Sequence, residues 1–150
     1  MWQSGRLLVG VLWVGALWAI GFMVAPTLFS TLADRSLAGS IAGSLFRIVA
    51  WLSVGCAIAI WILQAGAERR LHLPTSKAVR YLILAMLACT VLGYFCLQPF
   101  MGSLREILAS TQDAVQLAEA KQRFGMLHGI STVFYVIQSL LGAALILKLR

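Results

Sequence analysis

His128 heads a series of polar and small residues with helical spacing. Ser131, Tyr135, Gln138 and Gly142 follow at steps of three, four, three and four, so all five share one helix face. The residues between them are mostly apolar. A polar face on an otherwise apolar helix turns away from lipid, toward other helices or a wet cavity. There an imidazole can carry a proton or ligate a metal, and the hydroxyls and carboxamide beyond it can line a path. Gln138 needs a hydrogen-bonding partner, because a bare amide in an apolar setting is costly. Arg47 is the second ionisable residue at the edge of an apolar stretch. Such residues mark candidate sites, because burying their charge in lipid is expensive.

Other chemistries find less support. Zinc takes several His, Cys or carboxylate ligands, and the neighbourhood of His128 supplies one His. Copper could use sulfur from Cys96, Met101 or Met126 together with His128. Haem b needs a second axial ligand, which a single chain does not offer within its apolar segments. No nucleophile–base–acid set, phosphate-cradling glycine loop or metalloprotease box is present. A hydrolase is not expected, and no cofactor is required. Cys56, Cys89 and Cys96 all fall in apolar segments and are expected to pack rather than to pair.

The elements that must position these residues are membrane spans. The chain has 150 residues, 61% of them hydrophobic and 11% charged. Apolar stretches over 7–29, 41–63, 80–98 and 124–147 each reach the ~20 residues that cross a bilayer core. The expected fold is all-α: one integral membrane domain over 1–150, a four-transmembrane-helix bundle. A further amphipathic helix is expected over 102–122, between spans three and four on the extracytoplasmic side. There Leu104, Ile107, Leu108, Thr111, Val115 and Ala118 form one apolar stripe. Pro26 is expected to kink or end the first span. Because Pro26 follows Val24 and Ala25, signal-peptide cleavage is not expected there and span one should be retained. The stretch from Gln64 to Lys77, with His72 and Pro74, reads as a short basic loop.

The net charge of +7 is distributed at the ends of the apolar segments, which argues for topology rather than nucleic-acid binding. Arg6, Arg69, Arg70, Lys77, Arg80, Lys148 and Arg150 fall on one side, opposed by Glu68 alone. Arg35, Arg47, Arg105, Lys121 and Arg123 fall on the other, with Asp34, Glu106, Asp113 and Glu119. The positive-inside rule then expects both termini in the cytoplasm of a bacterial inner-membrane protein. With that topology, Arg47, Tyr94, Gln98, His128, Ser131 and Tyr135 share a polar layer toward the outer leaflet, and Pro26 and Thr27 reach it from span one.

Small residues suggest where helices meet. Gly39 and Gly43, four apart, and Gly125 and Gly129, also four apart, make small faces suited to close packing within or between subunits. A homo-oligomer or a larger membrane complex is therefore an expected partner, besides the lipid bilayer itself.

Several strings carry a family likeness. Phe124-Gly125-Met126-Leu127-His128-Gly129-Ile130-Ser131 resembles the F-x-x-x-H-G-x-S signature of transmembrane-protein-205-like proteins, filed in bacteria as domain of unknown function 4149. Pro26-Thr27-Leu28-Phe29 and Gly43-Ser44-Leu45-Phe46 are similar to that family's P-x-x-F and G-x-x-F boxes. The resemblance implies a four-span layout and marks Pro26, Phe29, Gly43, Phe46, Phe124, His128, Gly129 and Ser131. The association of its eukaryotic members with platinum-drug resistance implies handling of soft metal complexes. Three functions are thus expected in order. The first is transport or handling of a small solute or soft metal at the outer polar layer, with Gln138 further along the path. The second is a structural or assembly subunit. The third is a haem- or copper-binding redox protein.

Overall fold

The computed structural model describes residues 2–71 and 76–150. Every regular element among them is helical, and they form four long rods. Rod one is α1 (Trp2–Trp18), a π-helical segment (Ala19–Val24) and α2 (Ala25–Thr31). Rod two is α3 (Arg35–Leu71). Rod three is α4 (Lys77–Thr90), a second π-helical segment (Val91–Cys96) and α5 (Gln98–Ser110). Rod four is α6 (Ala114–Leu149).

All four rods are long and apolar enough to cross a membrane, running Gln3–Thr31, Arg35–Arg69, Lys77–Ser110 and Ala114–Leu149. At 1.5 Å per residue the shortest, 29 residues, is about 43 Å long, so each outreaches a ~30 Å hydrocarbon core. Large apolar side chains cover the outside: Leu8, Leu140 and Leu147 are each two-thirds or more exposed. Such a surface is stable against acyl chains and not against water. This is an integral membrane protein.

Local chemistry sets the rod ends. Asp34 begins α3, its Oδ1 accepting from the Ser36 and Leu37 amides at 2.8 and 3.2 Å. Asp113 begins α6 in the same way, accepting from the Val115 amide at 2.9 Å. These carboxylates satisfy amides that have no partner within the helix and favour its positive end.

Three expectations change here. The helix expected over 102–122 is divided. Its first part belongs to α5, Thr111 to Asp113 are non-helical, and its second part is the start of α6. The apolar stripe continues in phase across the break, which hid it. Pro26 does not end the first helix; it lies in the first turn of α2, which runs on to Thr31. Its missing N–H is accommodated because the preceding turn is already widened into a π-helix. The expected loop from Gln64 is helical to Leu71. His72 and Pro74 lie outside the described residues.

Rod one packs against rods two and four, and rod three against rods two and four. The shared core contains Trp13 and Leu17 from rod one, Val49, Ala57 and Ile60 from rod two, Ile83 and Met86 from rod three, and Leu145 and Leu149 from rod four. Gln3 Nε2 donates to the Arg150 carbonyl at 3.1 Å. Both termini thus share one end of the molecule with the end of rod two and the start of rod three. The connections 32–34 and 111–113 mark the other end.

Candidate functional site

The polar residues of α6 fasten it to its neighbours. The Tyr135 hydroxyl donates to the Leu17 carbonyl at 2.6 Å. Leu17 lies in the last turn of α1, so Tyr135 bonds the backbone of rod one where it widens into its π segment. A methyl at position 21 would stand 2.2 Å from Tyr135 Cε1, so only glycine leaves room for the ring. Phe22 and Phe46 close around the ring edge-to-face, with centroids 6.3 and 5.3 Å away.

The second π segment is held in a similar way. Ser131 Oγ donates to the Gly93 carbonyl at 2.8 Å. A Cβ on Gly93 would lie 2.8 Å from Phe134 Cβ, so the two backbones meet closely there. Deeper in the protein, Gln138 Nε2 donates to Thr90 Oγ1 at 2.9 Å, and Thr90 donates on to the Met86 carbonyl at 3.1 Å. Trp13 Nε1 donates to Ser53 Oγ at 2.9 Å, and Ser53 to the Val49 carbonyl. These three chains of buried polar groups each end on a backbone oxygen, as an apolar surrounding requires.

The expected layer also included His128, Arg47 and Gln98. His128 is exposed, and its ring stacks on Phe124, one turn earlier on α6, at 6.1 Å and 6° between planes. Arg47 is exposed on α3, and Gln98 is half-buried at the start of α5. Ser131, Tyr135 and Gln138 lie along the seams where α6 meets rods one and three.

A residue outside the expected set links the remainder. The Arg105 guanidinium carbon lies 5.6 Å from the centroid of the Phe124 ring, which also stacks with His128. A Cβ at Gly43 would stand 3.1 Å from Arg105 Nη1, so the guanidinium spans from α5 to α3 and α6. Arg47 and Arg105 both lie within Coulombic reach of the Tyr94 hydroxyl. Among the described residues neither arginine has a carboxylate at ion-pair distance; Arg80 pairs with Glu68, and Arg123 with Glu119 at 4.0 Å. Both guanidiniums thus act on one phenol; Arg105 also lies over Phe124, and Tyr94 meets Phe95 edge-to-face at 5.3 Å. A sequence signal for Arg105 existed: it follows Tyr94 by eleven residues, three helical turns, on one face. Its place in an expected surface helix obscured that signal.

Among the described residues no three His, Cys, Asp or Glu side chains come together in a way that could hold a metal ion. The arrangement can attract and orient an anionic oxygen group, since guanidinium forks match carboxylate and phosphate geometry.

The glycine faces divide. Gly39 faces Phe29, whose Cζ would be 3.9 Å from a Cβ there, and Gly43 faces Arg105. Gly125 and Gly129 face nothing within 4 Å.

Residues 8–110 match the model of a family described as a domain of unknown function (DUF4149). The Phe124–Ser131 string lies outside that match. No curated protein and no solved structure matches the chain at a significant level.

Proposed function

The chain belongs to the DUF4149 family, and from that premise we propose that it is a four-helix transmembrane bundle that handles a small anionic solute at its outer end. The observation that carries this reading is that Arg47 and Arg105 both act electrostatically on Tyr94 while neither has a carboxylate partner among the described residues. Guanidiniums at a membrane surface raise the local concentration of anions and orient planar oxyanions. Tyr94 supplies a hydroxyl donor, and Phe124 holds Arg105 in place by cation–π contact. The Lys and Arg distribution supports an inner-membrane orientation with both termini in the cytoplasm. In that orientation the two arginines face outward.

The test is anion uptake or binding with protein reconstituted in liposomes, using a carboxylate series and inorganic phosphate as probes. Wild type should bind or move at least one anion, and Arg47→Gln with Arg105→Gln should lose it without loss of folded yield. Equal activity in the double variant rejects the reading.

A second reading has its own observation. The open pair Gly125 and Gly129 on α6, flanked by exposed Met126 and Ile130, is a small-residue face that another helix could approach closely. It supports an assembly role, as a homo-oligomer or a subunit of a membrane complex.

A further inference from the structure

A cavity opens at the opposite end of the molecule, near the termini. It has a volume of about 130 Å³ and is lined by Trp61, Gln64, Ala65, Glu68 and Arg80. Gln64 is 3% exposed, yet neither its Nε2 nor its Oε1 has a hydrogen-bond partner. Among the described residues, Ser53, Thr90, Gln138 and Ser139 are also buried, and each ends on a partner; Arg6 Nε is the other buried side-chain atom left unmet. An amide with donor and acceptor both unmet is costly to bury, and it marks a place where something else supplies the bonds.

The walls say what that is. Glu68 and Arg80 sit on adjacent rods and are ion-paired, so the lining carries one charge of each sign and no net charge. Such a lining disfavours a lone anion or cation and suits a molecule carrying both. Gln64 repeats the pattern in neutral form, with an acceptor for an ammonium and a donor for an oxyanion. Trp61 adds an indole, the best aromatic partner for an ammonium. The volume admits roughly six non-hydrogen atoms, by comparison with a ~150 Å³ cavity that takes up benzene, and the open side leaves room for more.

We propose that this cavity binds a small zwitterion joining an ammonium to an anionic oxyacid, as in a phosphoethanolamine group. The ammonium meets Glu68, Gln64 Oε1 and the Trp61 face; the oxyacid meets Arg80 and Gln64 Nε2. The same chemistry is presented by a free solute and by the headgroup of a phosphatidylethanolamine lipid. The site is independent of the outer arginines, so it stands or falls separately from the anion reading.

The experiment uses the full chain in phosphatidylcholine nanodiscs, with phosphoethanolamine added and followed by calorimetry. A parallel arm follows retention of phosphatidylethanolamine over phosphatidylcholine by native mass spectrometry. Binding of the free compound and selective retention of the lipid together identify a headgroup site. Binding of the free compound without lipid retention identifies a soluble zwitterion, and lipid retention alone identifies a headgroup that needs its acyl chains. Gln64→Leu should weaken binding by about tenfold or more, the loss expected for hydrogen bonds to charged groups. Glu68→Gln, at a half-buried position, should weaken phosphoethanolamine similarly while not weakening glycerol phosphate, because the phosphate contacts remain and the one repelling carboxylate is gone. Neither ligand binding to wild type, or wild-type affinity in Glu68→Gln, overturns the proposal, whatever the folded yield of Gln64→Leu.

Discussion

Tyr135 occupies the space that a side chain at position 21 would fill, and its hydroxyl reaches the Leu17 carbonyl one turn before Gly21. The two residues lie on rods one and four, and each makes sense only with the other. Gly21→Ala should lower stability by about 1–3 kcal/mol, the usual cost of overpacking. Tyr135→Leu in the same chain should recover part of that loss, giving a coupling of about 1 kcal/mol or more. Thermal unfolding in detergent, followed by circular dichroism, measures both. Additive losses in the double variant would mean the ring does not depend on the glycine.

The Gln138–Thr90 contact makes a related prediction deeper in the protein. Thr90→Val removes the acceptor and strands a buried amide. Hydrogen bonds within membrane proteins average about 0.6 kcal/mol and reach about 1.7. Thr90→Val should destabilise toward the upper figure, because Gln138 is 4% exposed and has no solvent to turn to. Adding Gln138→Leu should restore stability. Unfolding midpoints of the two variants should therefore run opposite to the number of substitutions.

Arg105 separates charge from shape. Arg105→Lys keeps the cation but loses the planar fork that lies over Phe124 and beside Gly43. If the outer end recognises an oxyanion bidentately, Lys should lose most of the affinity, by about tenfold or more, which corresponds to ~1.4 kcal/mol. Retained affinity in the liposome binding assay would reduce the role of Arg105 to a general field.

His128 is exposed and stacks only on Phe124 among the described rings. His128→Ala should leave folded yield and unfolding midpoint close to wild type, within about 0.5 kcal/mol as for other surface changes. A large loss of folded protein would show that the ring packs against something beyond this single chain.

The open face of α6 gives the assembly reading a cleaner probe than the other glycine pair. Gly43→Ile would meet Arg105 within the same chain and confound the result. Gly125→Ile meets nothing within 4 Å. If another helix docks there, Gly125→Ile should shift the native oligomeric size seen by light scattering in detergent. An unchanged size removes that face from assembly.

The sequence by itself determined what is local. Hydropathy over windows of ~20 residues marks four spans, because a bilayer selects length and apolarity without reference to partners. Steps of three and four along 128–142 placed Ser131, Tyr135 and Gln138 on one helix face, because helical geometry is fixed by the backbone. The break at 111–113 was also legible in principle, since Asp113 is a good helix start, but an in-phase apolar stripe masked it.

Only the tertiary structure decided what those faces meet. Nothing in the chain order says that Tyr135 enters the ladder at Leu17, 118 residues away, or that Ser131 reaches the carbonyl of Gly93. Nothing in it moves Arg105 from an expected surface helix to a position between three rods, or buries Gln64 from an expected loop. Those outcomes depend on which small residues let two backbones approach and on which polar atoms lose water when they do. Both are properties of pairs of segments distant in sequence, which periodicity along one segment does not contain.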